Sequence, residues 1–300
     1  MTSLAASGEN RPGARFPKSM TDQTGSRPSS PPSLLPISAT IICKNEEACI
    51  DQCLASVEGL AEIVVVDSGS TDGTLALIER RIRAGQPIKL IRHPWLGYAR
   101  QKQFALDQAT QPWILSIDAD EWLDEALRAE LPRLIAAGPD VAGWRLRRTL
   151  TLYGATKPVS LWTRPEHILR LVRQGRAHFE PDLIVHEGLI AEGETPVAGR
   201  GLLRHERGLP MDVQMGKEIA YARLKAEQRL ARGVKPSWLK LLFNPPIYFL
   251  RIFFWNRFLL CGWAGFIHAM TGATYSFMTE SMHRQFHLAR RTGGGKDDAR

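Results

Sequence analysis

Two short acidic segments are the places where this sequence could do chemistry. Asp118-Ala119-Asp120 sets two carboxylates either side of one small residue. Hard divalent cations such as Mg²⁺ or Mn²⁺ take carboxylate oxygens and share their coordination sphere with substrate phosphates. As an isolated triplet it also reads as a solvated turn. Its position favours the metal, because it follows the apolar run Trp113-Ile114-Leu115-Ser116-Ile117. A second acid, Asp67, ends the run Glu62-Ile63-Val64-Val65-Val66 and opens the turn Ser68-Gly69-Ser70-Thr71-Asp72-Gly73. A carboxylate fixed there can accept the imide N–H of a uracil, and small neighbours let a base or ribose approach the backbone. The plainer reading is a strand-to-helix loop with Asp72 capping the next helix. The two roles fall on different residues.

Both acids need a scaffold that gathers strand ends. From Ile37 onward, short β-branched runs alternate with amphipathic stretches, the pattern of βαβ units around a parallel sheet. Ile37 to Cys43 is the first strand. Asn45 is the expected N-cap of a helix carrying Glu46 and Glu47 at its positive end and Ile50, Cys53, Leu54 and Val57 on one face. After the second strand, Leu75, Ile78 and Ile82 keep helical spacing until Gly85 and Pro87. Lys89 to Arg92 is a third strand, Gly97 to Ala109 a helix, and Trp113 to Ile117 a fourth strand. Leu127, Leu131, Leu134 and Ile135 mark a further helix, and Val141 to Leu146 another strand. Ligands of open α/β sheets bind outside the carboxyl ends of the strands, so Asp67 and Asp118-Asp120 are expected in one cleft.

Composition narrows the partners. Thirty-nine basic against 31 acidic side chains, a net charge of +8, draw the chain to phosphates, anionic lipid or nucleic acid without choosing among them. Cys43, Cys49, Cys53 and Cys261 form no CxxC pair and read as small apolar residues in a reducing cytoplasm. Residues 1–35 are rich in Ser, Pro, Gly and Arg, lack the apolar stretch of a signal peptide, and read as a disordered tail, with folding from near Leu34.

The segments Ser38-Ala39-Thr40-Ile41-Ile42-Cys43-Lys44-Asn45-Glu46-Glu47, Val65 to Thr74, and Ser116-Ile117-Asp118-Ala119-Asp120-Glu121 resemble, in order and spacing, the successive motifs of the family 2 glycosyltransferases. The likeness runs from about Ile37 to Gly208. Within the family it is most similar to the bacterial lipopolysaccharide core glucosyltransferase branch, through Arg170-Leu171-Val172-Arg173, Val185-His186-Glu187 and the apolar C-terminal segment. The resemblance implies the fold class α/β, a GT-A, Rossmann-like, mostly parallel sheet flanked by helices, over residues 36–210. It implies a nucleotide-sugar donor, UDP-glucose, bound by Asn45, Glu46, Asp67, Ser68, Lys102, Asp118, Ala119 and Arg170. It implies Mg²⁺ or Mn²⁺ on Asp120 and Asp118, and inversion by direct displacement at a lipid-linked saccharide. Where the family shows Arg-Asn, this chain has Lys102-Gln103, so Gln103 departs from the pattern. Lys102 either neutralises phosphate or lies on an exposed helix surface.

Direct displacement needs a base for the acceptor hydroxyl. Glu187 is favoured over Asp182 because it matches the branch's Val-His-Glu. His186 is either structural or an acceptor contact, and His205 either structural or a late metal ligand. Arg170 and Arg173 either clamp phosphate or form ion pairs. Trp162 either lines the acceptor pocket or is buried.

Residues 211–290 read as a helical segment, beginning with a charged helix at Met215 to Arg232 and followed by a flexible tail at 291–300. From Trp238 to Met278, Trp, Phe, Leu and Ile dominate, interrupted by Lys240, Pro245-Pro246, Arg251 and Arg257. An interfacial helix pair on an anionic membrane surface fits this mixture best; burial against the catalytic domain or in a dimer, and a true span at Phe258 to Thr279, are the alternatives. The expected place is the inner face of the cytoplasmic membrane, with no nucleic acid bound. A sugar nucleotidyltransferase would want a Gly-rich loop after the first strand, where Lys44-Asn45-Glu46-Glu47 stands instead. A non-catalytic lipid- or nucleic-acid-binding module would leave the strand-end acids without a purpose.

Overall fold

The computed structural model describes residues 34–152, 163–164, 166–180, 188–206 and 211–293. The chain begins β1 (Leu35–Cys43), α1 (Ile50–Ser56), β2 (Leu60–Asp67), α2 (Thr74–Arg83), β3 (Ile88–Arg92), α3 (Tyr98–Asp107) and β4 (Trp113–Ser116). These four strands are parallel, in the order β3-β2-β1-β4. Both faces of β2, β1 and β4 are covered, which is why these strands read as largely apolar runs, while β3 at the edge is only partly buried. Ile37, Ala39, Ile41, Ile63 and Val65 pack with Leu54 of α1 and Ile78 of α2, while Val64 and Val66 pack with Ala105 of α3.

The chain continues with β5 (Glu121–Leu123), α4 (Glu125–Ile135), β6 (Gly143–Thr151), β7 (Glu166–Arg173), β8 (Ala177–Phe179), β9 (Leu189–Ala191) and β10 (Val197–Glu206). Beyond β4 the sheet becomes mixed, in the order β4-β7-β6-β10-β5, and β8 and β9 form a separate antiparallel pair. Asp124 caps α4 by accepting the Leu127 N–H at 2.8 Å. The helix sits so close to β10 that a Cβ on Gly201 would come within 2.3 Å of the Leu127 Cα, so only glycine fits there.

Two expectations are corrected. Asn45 does not cap α1, which starts five residues later behind Cys49. Asn45 is left-handed (φ 56°), and its side-chain oxygen accepts the Thr71 N–H at 2.8 Å, binding the first loop to the second rather than to its own helix. The strand expected at Val141 to Leu146 lies at Gly143–Thr151. Its second half, Arg147-Arg148-Thr149, carries charge into the sheet interior, where an apolar-run criterion does not look for a strand.

The C-terminal part is α5 (Met211–Ala231), α6 (Trp238–Leu250), a π-helical turn at Arg251–Trp255, a 3₁₀ turn at Phe258–Cys261 and α7 (Gly262–Gly293). Among the described residues, no helix is long and apolar enough to cross a membrane. α5 and α6 both pack along α7. Glu280 of α7, buried, accepts from Arg229 of α5 at 2.8 Å and from Asn244 of α6 at 3.0 Å. Pro245 and Pro246 lie inside α6 without ending it.

Candidate active site

β1 and β2 end together, with Cys43 opposite Asp67, so the loops after them meet at the carboxyl edge of the sheet. Asp67 is 1% exposed. Its Oδ2 accepts the Gly69 N–H at 2.9 Å and the Ser70 N–H at 3.1 Å, and Oδ1 accepts from the Ser70 hydroxyl and, at 3.8 Å, the Cys43 thiol. Gly69 makes this turn at φ 89°, a conformation that L side chains rarely adopt. The Ser68 hydroxyl is held by the Gln101 amide at 3.0 Å. The Glu46 N–H donates to the Thr74 hydroxyl at 2.8 Å; the N-cap of α2 is Gly73 rather than the expected Asp72, which accepts the Thr74 N–H at 3.0 Å from one residue further out. Beside this loop lies a cleft of about 320 Å³ lined by Asp67, Ser68 and Ser70 with Arg92, His93 and Pro94.

β4 ends one strand away, and the loop after it carries Asp118, Ala119 and Asp120. Asp118 is gripped on both oxygens, by Lys102 from α3 at 2.7 Å and by Arg170 from β7 at 2.7 Å. Arg170 also reaches Glu121 at 2.9 Å, and Arg148 of β6 reaches the same Glu121 oxygen at 3.2 Å. The other Glu121 oxygen accepts the Asp118 N–H at 3.1 Å. Burial raises the Asp118 carboxyl, but Arg170 and Lys102 outweigh it and hold it well below the usual carboxylate range. Burial lowers the Arg170 guanidinium, and Asp118 and Glu121 more than reverse that. Lys102 is buried, so the exposed-surface reading of it is overturned; its nitrogen is drawn inward by Asp118.

β10 pairs antiparallel with β5, His205 opposite Glu121, which brings the buried His205 to the Asp118-Asp120 loop. His205 Nε2 lies 3.0 Å from Asp120 Oδ2. Asp118 stays with its two cations, and no group of three His, Cys, Asp or Glu side chains converges on a metal position among the described residues. Asp120 and His205 therefore make a two-residue donor set, one carboxylate and one imidazole. That set fits Mn²⁺ or Mg²⁺ held jointly with diphosphate oxygens, and the imidazole suits the softer Mn²⁺ better.

Residues 38–182 match the model of glycosyl transferase family 2. The lipopolysaccharide core biosynthesis glycosyltransferase LpsC of Rhizobium meliloti (strain 1021) is 51% identical over 255 residues, 84% of this chain and 93% of that protein. The chain belongs to glycosyltransferase family 2. An uncharacterized glycosyltransferase of Rickettsia bellii (strain RML369-C) is 28% identical over 84% of this chain and 87% of its own length. Among solved structures, the mannosyltransferase PcManGT from Pyrobaculum calidifontis, in complex with GDP-Man and Mn²⁺, shares the fold. It has a TM-score of 0.50 and 15% identity, and covers 85% of this chain and 90% of its own. Membership sets aside the nucleotidyltransferase and non-catalytic readings.

The remaining expected residues of this glycosyltransferase are placed as follows. Ala119 is buried in the core beside the acidic loop. Gln103 faces away from that loop, accepting the Phe179 N–H at 2.7 Å and donating to Asp107 at 2.6 Å. Arg173 is no phosphate clamp: it donates to the carbonyls of Val141, Ala137 and Gly138 and stacks over Trp113. Trp162, Asp182, His186 and Glu187 lie outside the described residues. Glu121, Arg148 and Gln101 were given no role by the sequence. Glu121 was visible only as the acid completing Asp-Ala-Asp-Glu, and its burial depends on the distant strands β6, β7 and β10.

Glu46 faces the acidic loop from the first loop. Burial, and then Asp120, push its carboxyl up to about 6, with Lys217 of α5 partly offsetting them. A carboxyl raised in the fold contributes stability that is fully present below its unfolded value, 4.5, and lost as pH rises through about 6. Glu46→Gln should remove this pH dependence. In thermal melts with chelator present, the variant should gain on the parent between pH 4.5 and neutrality. A constant difference across that window would refute the assignment.

Proposed function

We propose that this glycosyltransferase moves a hexose, glucose from UDP-glucose, to a lipid-linked saccharide of the lipopolysaccharide core, with inversion, at the inner face of the cytoplasmic membrane. The observation that carries the reading is the pairing of Asp120 with His205 on the same carboxyl edge as Asp67 and its cleft. The 51% identity to LpsC supports the acceptor class, and the GDP-Man and Mn²⁺ of PcManGT support a nucleoside-diphosphate sugar with a divalent cation, while the choice of uridine rests on Asp67 alone.

In this reading, the nucleoside lies in the cleft at Asp67, where the uracil imide N–H would take the place of the rotatable Ser70 hydroxyl on that carboxylate, and His93 and Pro94 form a wall. Asp120 and His205 would hold a divalent cation, which when bound would supply countercharge to the leaving diphosphate. Lys102, Arg170 and Glu121 fix Asp118 and thereby aim the loop that carries Asp120. Glu187, or Asp182 in its place, takes the proton from the acceptor hydroxyl. The hydroxyl oxygen bonds to the anomeric carbon while the bond to the diphosphate oxygen breaks, and its electron pair leaves with the diphosphate.

A donor panel tests the proposal through release of nucleoside diphosphate in the presence of deacylated lipopolysaccharide core. UDP-glucose should give the fastest release. Glu187→Gln should keep UDP binding and lose transfer by a factor of about 10² or more. Normal transfer by that variant would move the role to Asp182, and faster release from a GDP-sugar would overturn the uracil assignment.

α6 supports the membrane reading. Trp238, Leu242, Phe243, Ile247 and Leu250 are all exposed on it, and Trp263, opening α7, is 82% exposed. Lys240, Arg251 and Arg257 stand among them, the arrangement of an interfacial helix with its cations at headgroup level. Leu242→Ser/Ile247→Ser should reduce flotation with lipid vesicles about tenfold, since each change removes one large apolar side chain from the contact. Flotation equal to the parent would remove α6 from the interface.

A further inference from the structure

A second cavity lies at the far end of the C-terminal helices, away from the acidic loops. α5 ends in a turn in which Gly233 (φ 68°) and Val234 donate to the carbonyls of Leu230 and Arg229. His283 of α7 binds the Val234 carbonyl at 2.9 Å, which holds the last turns of α7 against that turn. One turn further along, His287, Arg290 and Arg291 face Leu230, Gly233 and Val234 across a cavity of about 170 Å³. The cavity thus has an apolar floor and a cationic wall. Four residues after Val234 the exposed apolar face of α6 begins at Trp238.

The segment from Arg232 to Arg291 carries eight Lys and Arg residues and a single acid, Glu280, which is buried against Arg229, and the acid one turn before Leu230, Glu227, is paired with Arg223. Cations at the end of α7 also suit the negative end of its helix dipole. The dipole does not account for two side chains and an imidazole gathered around an apolar floor beside a membrane-type face. A ligand satisfying all of these carries a compact anion joined to apolar substance, and arrives from the side where α6 meets lipid.

We propose that this cavity binds the phosphate of an anionic phospholipid headgroup. His287, Arg290 and Arg291 donate to its oxygens, while Leu230 and Val234 pack against the glycerol and upper acyl carbons. The proposal rests on the membrane reading of α6 and deepens it: α6 supplies depth, and the cavity supplies headgroup selectivity and a fixed rotation of the enzyme on the surface.

Flotation of the full chain with two vesicle types tests it, one of phosphatidylcholine alone and one mixed with phosphatidylglycerol. The parent should partition preferentially to the mixed vesicles. Arg290→Gln/Arg291→Gln should lose that preference by about tenfold or more, keeping its weaker binding to phosphatidylcholine. Arg83→Gln/Arg133→Gln, which removes the same charge from the α2 and α4 ends, should change the preference by less than about threefold. Arg290→Lys/Arg291→Lys should restore part of it, which separates lost charge from lost folding. Millimolar inorganic phosphate at matched ionic strength should not release the parent; release would assign the cavity to free phosphate and overturn the lipid proposal. An equal preference in parent and Arg290→Gln/Arg291→Gln, or an equal loss in the two Gln double variants, would also overturn it. No flotation of the parent with either vesicle would instead defeat the membrane reading beneath it.

Discussion

Asp120→Ala should uncouple donor binding from metal and lower sugar transfer by about 10³, the loss expected when the main countercharge to a leaving diphosphate is no longer placed. In calorimetric titration, the parent should bind UDP more tightly with Mn²⁺ than with chelator, and the variant should bind equally under both conditions. Asp118 is committed to Lys102 and Arg170, so Asp120 supplies the only carboxylate of the two-residue donor set, and His205 alone cannot hold a hard cation against water. His205→Ala should therefore do less, weakening Mn²⁺ more than Mg²⁺. Asp67→Asn provides the complementary control: UDP affinity falls while the metal dependence survives, because the change is at the other end of the nucleotide. Metal-linked UDP binding that persists in Asp120→Ala would detach this loop from the donor. Metal dependence lost equally in Asp67→Asn would contradict the division of labour between the two ends.

The parallel half of the sheet was legible because its chemistry is uniform. β1, β2 and β4 are buried on both faces and consist of β-branched and apolar residues, and the acids that close β2 and follow β4 stand out against them. The mixed half was not. Arg148 in β6, Arg170 in β7 and His205 in β10 bring polar side chains to the sheet, Arg170 and His205 buried, and each has a partner remote in sequence, Glu121 for the two arginines and Asp120 for the histidine. No local pattern encodes Arg170 meeting Glu121, forty-nine residues away. The same limit misread Asn45: its type favours a cap, and also favours the left-handed conformation that tertiary contact with Thr71 selected.

The C-terminal segment shows the converse. Its apolar composition was plain, but Pro245-Pro246 read as an interruption, since each proline removes a helix N–H donor and crowds the preceding turn. α6 runs through both, which leaves the carbonyls of Leu241 and Leu242 without their helix donors on a helix that has no buried residue. What sequence alone could not rank was burial against exposure, because the same residues would serve a helix packed in a core. α6 and Trp263 are exposed while α7 packs against α5, so among the described residues this apolar face is not spent on the catalytic domain, and its use at a membrane stays part of the proposal.

Glu121→Gln should destabilise the fold by about 3 kcal/mol, the lower end of what breaking a buried ion pair does. For a chain of this size, that corresponds to a fall in thermal midpoint of roughly 6–12 °C. Glu121 is fully buried and accepts from Arg170, Arg148 and the Asp118 N–H. The amide keeps one acceptor oxygen of similar shape and loses the charge that both guanidiniums face. Arg148 retains Glu166 at 2.7 Å, but that carboxylate is 54% exposed and substitutes weakly. Glu166→Gln should accordingly shift stability by less than about 1 kcal/mol, which separates a buried partner from a surface one. The same lesion should weaken metal-linked UDP binding, because the Asp118 N–H anchor sets the position of Asp120 two residues on. Calorimetric unfolding of Glu121→Gln, Arg170→Gln and the double variant then isolates the cause. If the penalty is chiefly the charge left unpaired, the double variant loses less than the sum of the singles. A strictly additive cycle would mean that Glu121 and Arg170 act independently, and the network would no longer explain how the Asp118–Asp120 loop is held.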